Sequence, residues 1–406
     1  MLYDLSGLYL FIGLLVGGII LTVVSKKLGA PDVIALVLLG VIVGQFSSIN
    51  LTAVIPVEIL VAFSIFALIL IIFQSSARFK IKEVKELSPL AAKLSLIFLG
   101  LCIVFLTIAT HFLFSFGEWG IKDFLASMLF ASLMGATAPS VALNLIQKTR
   151  NKLIEVLQFE SIINTPLTVI IPFIIIELMQ GAIKSNFVIF ALQQVMTGIG
   201  AGLVISLVVF RFLYKEFSKE IAPLIVIGTV LATYALTEII DGNGILAVTT
   251  LGLVYGRTHM EEKLFLGKFT EMFTELLKIV VFIILGLAIQ FETQDNFLVK
   301  SFILLGIYLI IRYAAIKISF RKAKLRRGEI FFMSVNVPKG IAVTVVAFML
   351  LGFGLPELTP VLNLVYLFVL YTIVISSFST IFAHKFIDLQ RPGLEKIKKK
   401  PNRVRQ

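Results

Sequence analysis

The chain has 406 residues, of which 58% are hydrophobic and only 15% charged, and its mean hydropathy is +1.02. Soluble domains carry about 25% charged residues, and a chain of this size cannot cover so much apolar surface with its own core, so the composition excludes a soluble domain and calls for lipid as solvent. The formal net charge of +12 would suit either nucleic acid or a membrane surface, and its distribution decides between them.

A spanning helix needs about 20 mostly apolar residues. In chain order the apolar runs predict thirteen spans, at 6–25, 31–48, 55–74, 88–115, 123–147, 153–179, 187–212, 221–240, 243–257, 270–290, 297–318, 329–352 and 361–383. The first run has no basic stretch before it and no small-residue cleavage site, so it reads as a span and not as a removable signal. The spans at 31–48 and 243–257 are short and glycine-rich, which suits close helix packing. Cys102 is the single cysteine and lies in an apolar run, where it reads as a small buried hydrophobe.

Loop charges set the orientation. With the N-terminus outside, the cytoplasmic loops hold Lys26 and Lys27, the cluster from Arg78 to Lys85, Lys148 to Lys152, Arg211 to Lys219, Arg257 to Lys268, Arg321 to Arg327 and the tail from Lys385 onward. The external loops hold only Lys122, Lys184 and Lys300. The expectation is an all-α polytopic transmembrane domain over 1–384 with the C-terminus inside, then a basic cytoplasmic tail over 385–406. The positive charge is a topology signal that also touches anionic membrane lipid, and nucleic acid is excluded as a partner.

Ionisable side chains at membrane depth are expensive and point to function. The deep ones are Glu160, Arg312 and Lys339. Lys93, Glu177, Glu238, Lys278 and Lys317 fall nearer span ends, where snorkelling or an interfacial position is the expectation. Two spans also carry a break. Gly135-Ala136-Thr137-Ala138-Pro139-Ser140 interrupts the fifth, and Asn336-Val337-Pro338-Lys339-Gly340 the twelfth. Proline removes a backbone donor and clashes with the preceding turn, and unwound backbone is tolerated at membrane depth only inside protein or along a cavity. Interrupted spans at corresponding positions of two halves mark a transporter site. An inverted six-helix repeat would align spans 1–6 with 8–13, and hence the fifth with the twelfth.

These residues resemble a family. Phe159-Glu160-Ser161-Ile162-Ile163-Asn164-Thr165 looks like the Glu-Ser-x-x-Asn-Asp signature of monovalent cation:proton antiporters of the sodium/proton exchanger type. Thr137-Ala138-Pro139 resembles that family's Thr-Asp-Pro break, and Pro338-Lys339-Gly340 its Pro-Arg/Lys-Gly break. Asp241 to Val248 with Gly252-Leu253, and Phe282 to Leu287, are similar to two further segments, so the resemblance runs over nearly the whole chain. It implies the sodium/proton antiporter fold with two broken helices crossing in a mobile core, an elevator-like movement, a homodimer, and a core ion pair between Glu160 and Arg312. Either charge alone would be costly in a low-dielectric core.

The sequence departs from the family at the site. The aspartate of the Asn-Asp pair is Thr165, the aspartate of Thr-Asp-Pro is Ala138, and the acidic position late in the third span is Gln74. Thr137, Ser161, Asn164 and Thr165, with Gln74 at the edge, are the candidate ion or substrate ligands, with a monovalent cation such as sodium or potassium at Asn164 and Thr165. Ala138, Pro139, Pro338, Lys339 and Gly340 would form the crossing. Neutral oxygens hold a cation but carry no proton. The leading expectation is therefore cation:proton antiport with the proton carrier moved to Glu160 or Lys339. Alternatives on the same fold are a transporter of an anion or neutral solute, an uncoupled cation uniporter, and a non-transporting relative. No cofactor is called for. No HExxH pattern occurs and His111, His259 and His384 lie far apart near span ends, so no enzyme is expected. Gly198, Gly200 and Gly202 follow no strand and read as helix packing, not a phosphate loop.

Overall fold

The computed structural model describes residues 6–28, 31–46, 57–77, 81–114, 119–138, 152–181, 187–209, 221–257, 263–289, 296–323 and 325–387. Among these every element is helical: α1 (Ser6–Leu28), α2 (Asp32–Phe46), α3 (Val57–Ala77), α4 (Ile81–Leu101), which continues through a π-helical turn (Cys102–Leu106) into α5 (Thr107–Leu113), α6 (Ile121–Met134), α7 (Lys152–Met179), α8 (Phe187–Val208), α9 (Ala222–Ile239), α10 (Gly244–Arg257), α11 (Lys263–Ala288), α12 (Phe297–Ser319), α13 (Arg327–Val335), α14 (Ile341–Leu351), α15 (Leu358–Ile381) and α16 (Ala383–Phe386). Each predicted span coincides with helix. For 123–147 the described part is α6 with the non-helical residues 135–138 that follow it, and Pro139 with the rest of that span lies outside the described residues, as does the tail beyond residue 387. Among the described residues six helices are long and apolar enough to cross a membrane by length and composition. Large apolar side chains stand exposed along their outer faces, such as Phe11, Ile12, Val16 and Ile20 on α1 and Phe302, Ile303 and Ile310 on α12. In water that surface would be a liability, while lipid solvates it. The protein is a multi-pass integral membrane protein.

The helices pack as two groups. In one, α2 lies along α11, α10 packs on α3 and α8, and α1 joins α2; in the other, α4 packs on α7 and α12, and α6 on α7 and α15. Of the first six-helix half, α1 to α3 thus fall in the first group and α4, α6 and α7 in the second; of the other half, α10 and α11 fall in the first and α12 and α15 in the second, an arrangement that suits an inverted repeat. Glycine sets the closest approaches in the first group. A Cβ on Gly40 would meet the backbone of Gly286 and Leu287, and one on Gly252 would meet Ser76 and the Phe73 carbonyl. Gly198 and Gly202 meet the Asn243 and Ala247 carbonyls of α10, so that glycine run serves helix packing. Cys102 is fully buried.

The twelfth span is two half-helices. After α13 the chain leaves helical geometry at Asn336, stays non-helical through Pro338 and Lys339, and restarts after Gly340 as α14. Its freed polar groups find partners on one face of α15. Thr372 Oγ1 accepts from Lys339 N (3.1 Å), Ser376 Oγ donates to Asn336 Oδ1 (2.8 Å), and Asn336 Nδ2 donates to Thr380 Oγ1 (3.3 Å). Positions 372, 376 and 380 are one turn apart, so a single helix edge satisfies a segment that lipid could not.

Candidate functional site: a chamber beside two crossed chain breaks

The fifth span also leaves helical geometry, at Gly135, and residues 136–138 run non-helical beneath the break of the twelfth. The two breaks touch. Ala138 N donates to Pro338 O (2.8 Å), and a Cβ on Gly340 would collide with that of Ala138. Only glycine lets the segments approach so closely.

Two side chains pin the first break from opposite sides. Lys339, 1% exposed, donates to Met134 O (2.6 Å), to Ala136 O and to Tyr308 Oη (2.6 Å). Three acceptors thus meet the three protons of an ammonium at the negative end of the α6 dipole. From the other side, Asn164 Nδ2 donates to Thr137 Oγ1 (2.9 Å) and Gly135 O (3.3 Å). Asn164 is fully buried, and its Oδ1 has no hydrogen-bond partner among the described residues. A buried acceptor left open beside the break suits a small cation or water.

Glu160 and Arg312 form a two-pronged pair with neither side chain exposed: Arg312 Nη1 meets Glu160 Oε1, and Nη2 donates to Oε2 at 2.7 Å. The guanidinium carbon lies 4.6 Å from the centre of the Phe98 ring, and Lys339 Nζ lies 5.7 Å from the same centre. One acid and two cations therefore share this core, and the arginine fork is the geometry that best neutralises a buried carboxylate.

A chamber of about 180 Å³ opens next to the crossing, at the seam between the two helix groups. The second group contributes Thr137, Ala138, Ser161, Thr165 and Gly340, and Gln74 lies on the wall from α3. Asn164 sits just behind it, bonded to Thr137. The hydroxyls of α7 are oriented by their own helix: Ser161 donates to Gln158 O (2.8 Å) and Thr165 to Ser161 O (2.6 Å). With those protons directed backward, oxygen lone pairs remain for a cation. Glu160, Arg312 and Lys339 lie outside the lining, and Lys339 reaches the break behind it through Met134 O and Ala136 O. A second cavity of about 190 Å³, bordered by Glu177, Glu238 and Asn243, meets the first at Leu68.

The structure corrects one expectation and adds residues that sequence reasoning missed. Lys278 does not snorkel. It pairs with Asp32 Oδ2 (2.7 Å) and Glu275 Oε2 (2.6 Å), and Glu275 also meets Lys26 (2.7 Å). The glycine contact between α2 and α11 brings Asp32 there, and α11 begins at Lys263, so these positions are inside a helix and not at its rim. Glu271, Thr274, Glu275 and Lys278 all line the chamber, and their spacing along one helix face was the available signal. Of the other side chains expected near span ends, Lys93, Glu238 and Lys317 are exposed, while Glu177 is half-buried on the border of the second cavity. Lys93 donates to Ser319 O (3.2 Å) at the end of α12, and Glu238 Oε1 accepts from Gly244 N (2.9 Å). His111 pairs with Asp123 (2.8 Å).

Comparison with known proteins agrees with this architecture. Among curated relatives, the Probable Na(+)/H(+) antiporter 2 of Methanocaldococcus jannaschii is 22% identical over 369 residues, covering 84% of each chain. The K(+)/H(+) antiporter NhaP of Alkalimonas amylolytica is 21% identical over 388 residues, 92% of this chain and 65% of that one. The solved structure of the sodium proton antiporter MjNhaP1 from Methanocaldococcus jannaschii superposes with a TM-score of 0.77 at 19% identity, covering 94% of this chain and 98% of that chain. The transmembrane sodium/hydrogen exchanger family matches residues 11–384, so the chain belongs to the sodium/hydrogen exchanger family of membrane transporters.

Proposed function

We propose that this protein exchanges a monovalent cation, sodium or potassium, for protons. The observation that carries the reading is the chamber beside the crossed breaks, where oriented oxygens of Thr137, Ser161 and Thr165 converge within one bonded residue of Asn164. The names of the relatives, sodium:proton and potassium:proton antiporters, point the same way.

The carboxylate that would let cation and proton compete is absent from positions 138 and 165, so coupling needs another route. Glu160 is a poor carrier, because a proton on it would leave Arg312 unpaired in the core. Lys339 is the better one. If it gives up a proton, the Tyr308 hydroxyl can reverse its hydrogen bond and donate to the amine, while two N–H groups keep the Met134 and Ala136 carbonyls. No buried polar group is stranded in either state. A protonated Lys339 places its charge one residue from Thr137 and opposes a cation there, whereas the neutral amine does not. Competition thus runs through charge repulsion across the break and not through a shared ligand.

Movement of the helix group carrying α6, α7 and α14 against the group carrying α3 and α11 would expose the chamber to the other side, an elevator-like alternation. The chamber's position on the seam supports this. The clustering of Lys and Arg supports thirteen spans with the N-terminus outside and the basic tail inside. The family relationship supports a homodimer.

A second reading rests on the same neutral residues: a uniporter, or a carrier of an anion or neutral solute drawn to the net positive core of Glu160, Arg312 and Lys339. Proteoliposomes holding a pH-reporting dye separate the two. Collapse of an imposed pH gradient on adding sodium, lithium or potassium, absent from empty vesicles, is the expected result. Folded protein that collapses no gradient with any of these cations over a broad pH range would remove the antiport reading.

A further inference from the structure

We infer that α11 supplies a second pair of cation ligands to the chamber, the Glu271 carboxylate and the Thr274 hydroxyl; the inference rests on the cation-exchange reading above. Both side chains line the chamber together with Thr137, Ser161 and Thr165. They are three residues apart and share a helix face.

Thr274 is the independent pointer to a ligand. It is only 7% exposed, and its Oγ1 has no hydrogen-bond partner among the described residues. Elsewhere on the chamber wall Ser161 donates to Gln158 O, Thr165 to Ser161 O and Thr249 to Ile245 O (2.7 Å), each within its own helix, and Thr137 Oγ1 accepts from Asn164 Nδ2. A buried hydroxyl without a partner is costly, and one facing a polar chamber is explained by what the chamber holds.

Its neighbours hold this face in place. Lys26, Glu275, Lys278 and Asp32 form a chain of alternating charge whose links are 2.6–2.7 Å long. Two cations and two anions neutralise each other, and the chain ties α11 to α1 and α2 one turn from Glu271. The ligand set is one carboxylate with hydroxyl oxygens, hard donors with little charge. That suits a monovalent cation and falls short of the several carboxylates that a divalent ion gathers.

The two ligand groups belong to different helix groups, Thr137, Ser161 and Thr165 to one and Glu271 with Thr274 to the other. A cation touching both is therefore held only while the chamber has this shape, so Glu271 and Thr274 form a conformation-specific subsite that loads the carrier from one side.

The test uses the purified full-length chain in detergent, titrated with sodium, potassium or lithium chloride at constant ionic strength kept by choline, with the thermal unfolding midpoint as readout. A cation that binds the folded state raises the midpoint with the logarithm of its concentration relative to its Kd, so the concentration at which the rise begins reports the affinity. Glu271→Gln should weaken that affinity about tenfold, the effect of losing one charged partner. Thr274→Val should weaken it severalfold while leaving the midpoint in choline unchanged, because no protein hydrogen bond is lost. A merely structural role predicts the reverse pattern. If both variants bind as the wild type does, the subsite is wrong while the exchange reading stands. If the wild type shows no cation-dependent shift and no exchange in vesicles, the exchange reading itself has failed and takes the subsite with it.

Discussion

Replacing Glu160 by Gln should be among the most damaging single changes to the core, and more damaging than the change at its partner. Both side chains are fully buried, and the guanidinium makes two bonds to the carboxylate with only the Met333 carbonyl (3.5 Å) as a further acceptor among the described residues. Removing one member of such a pair costs about 3–5 kcal/mol. In Glu160→Gln, Arg312 and Lys339 are left as two cations around the Phe98 ring with no acid between them. In Arg312→Gln, Glu160 still has the charge of Lys339 nearby, so the loss should fall toward the lower end of that range. The double variant removes both charges and should recover about 3 kcal/mol relative to the sum of the singles. Unfolding in a denaturing-detergent titration, followed by circular dichroism for the wild type and the three variants, gives the cycle. Additive losses, or Arg312→Gln less stable than Glu160→Gln, would refute the reasoning.

Gly340→Ala should lower stability and abolish exchange, because the added methyl meets the Cβ of Ala138 at the crossing; wild-type flux in vesicles would show that the crossing has room to give. Thr372→Val removes the acceptor of the Lys339 amide and should destabilise by about 1–3 kcal/mol, read in the same detergent titration against Thr372→Ser, which keeps the hydroxyl and should retain most of the stability. Thr165→Asp puts a carboxylate into the chamber and should tighten cation binding and make it more sensitive to acid, since protonation of the new group competes with the cation. Cation titrations at two pH values check this, and unchanged affinity at both would argue against Thr165 as a ligand position.

Spans and breaks were legible in the sequence because their causes are local. Apolar run length reports membrane depth, and Pro338 with Gly340 two residues on interrupts a helix wherever the pair stands. Glu160, Arg312 and Lys339 stood out because lipid makes isolated charges conspicuous. Pairing Glu160 with Arg312 took the family resemblance, since 152 residues separate them. The contact that aims Lys339 at the end of α6 spans more than 200 residues and had no signal in the chain.

The class of molecule, the location of its helices and the places where two of them must open can be read along the chain, because all of them follow from the energetics of apolar runs and unpaired backbone in lipid. Which side chains answer those openings depends on packing in three dimensions. Thr372, Ser376 and Thr380 look like ordinary polar residues in an apolar helix until Asn336 and Lys339 are laid against them. Lys278 reads as a snorkelling side chain until the packing of Gly40 on Gly286 brings Asp32 within 2.7 Å. The wall of Glu271 and Thr274 faces the chamber because two helix groups meet there, and where groups meet is set by packing across the whole chain, which no local stretch of sequence encodes.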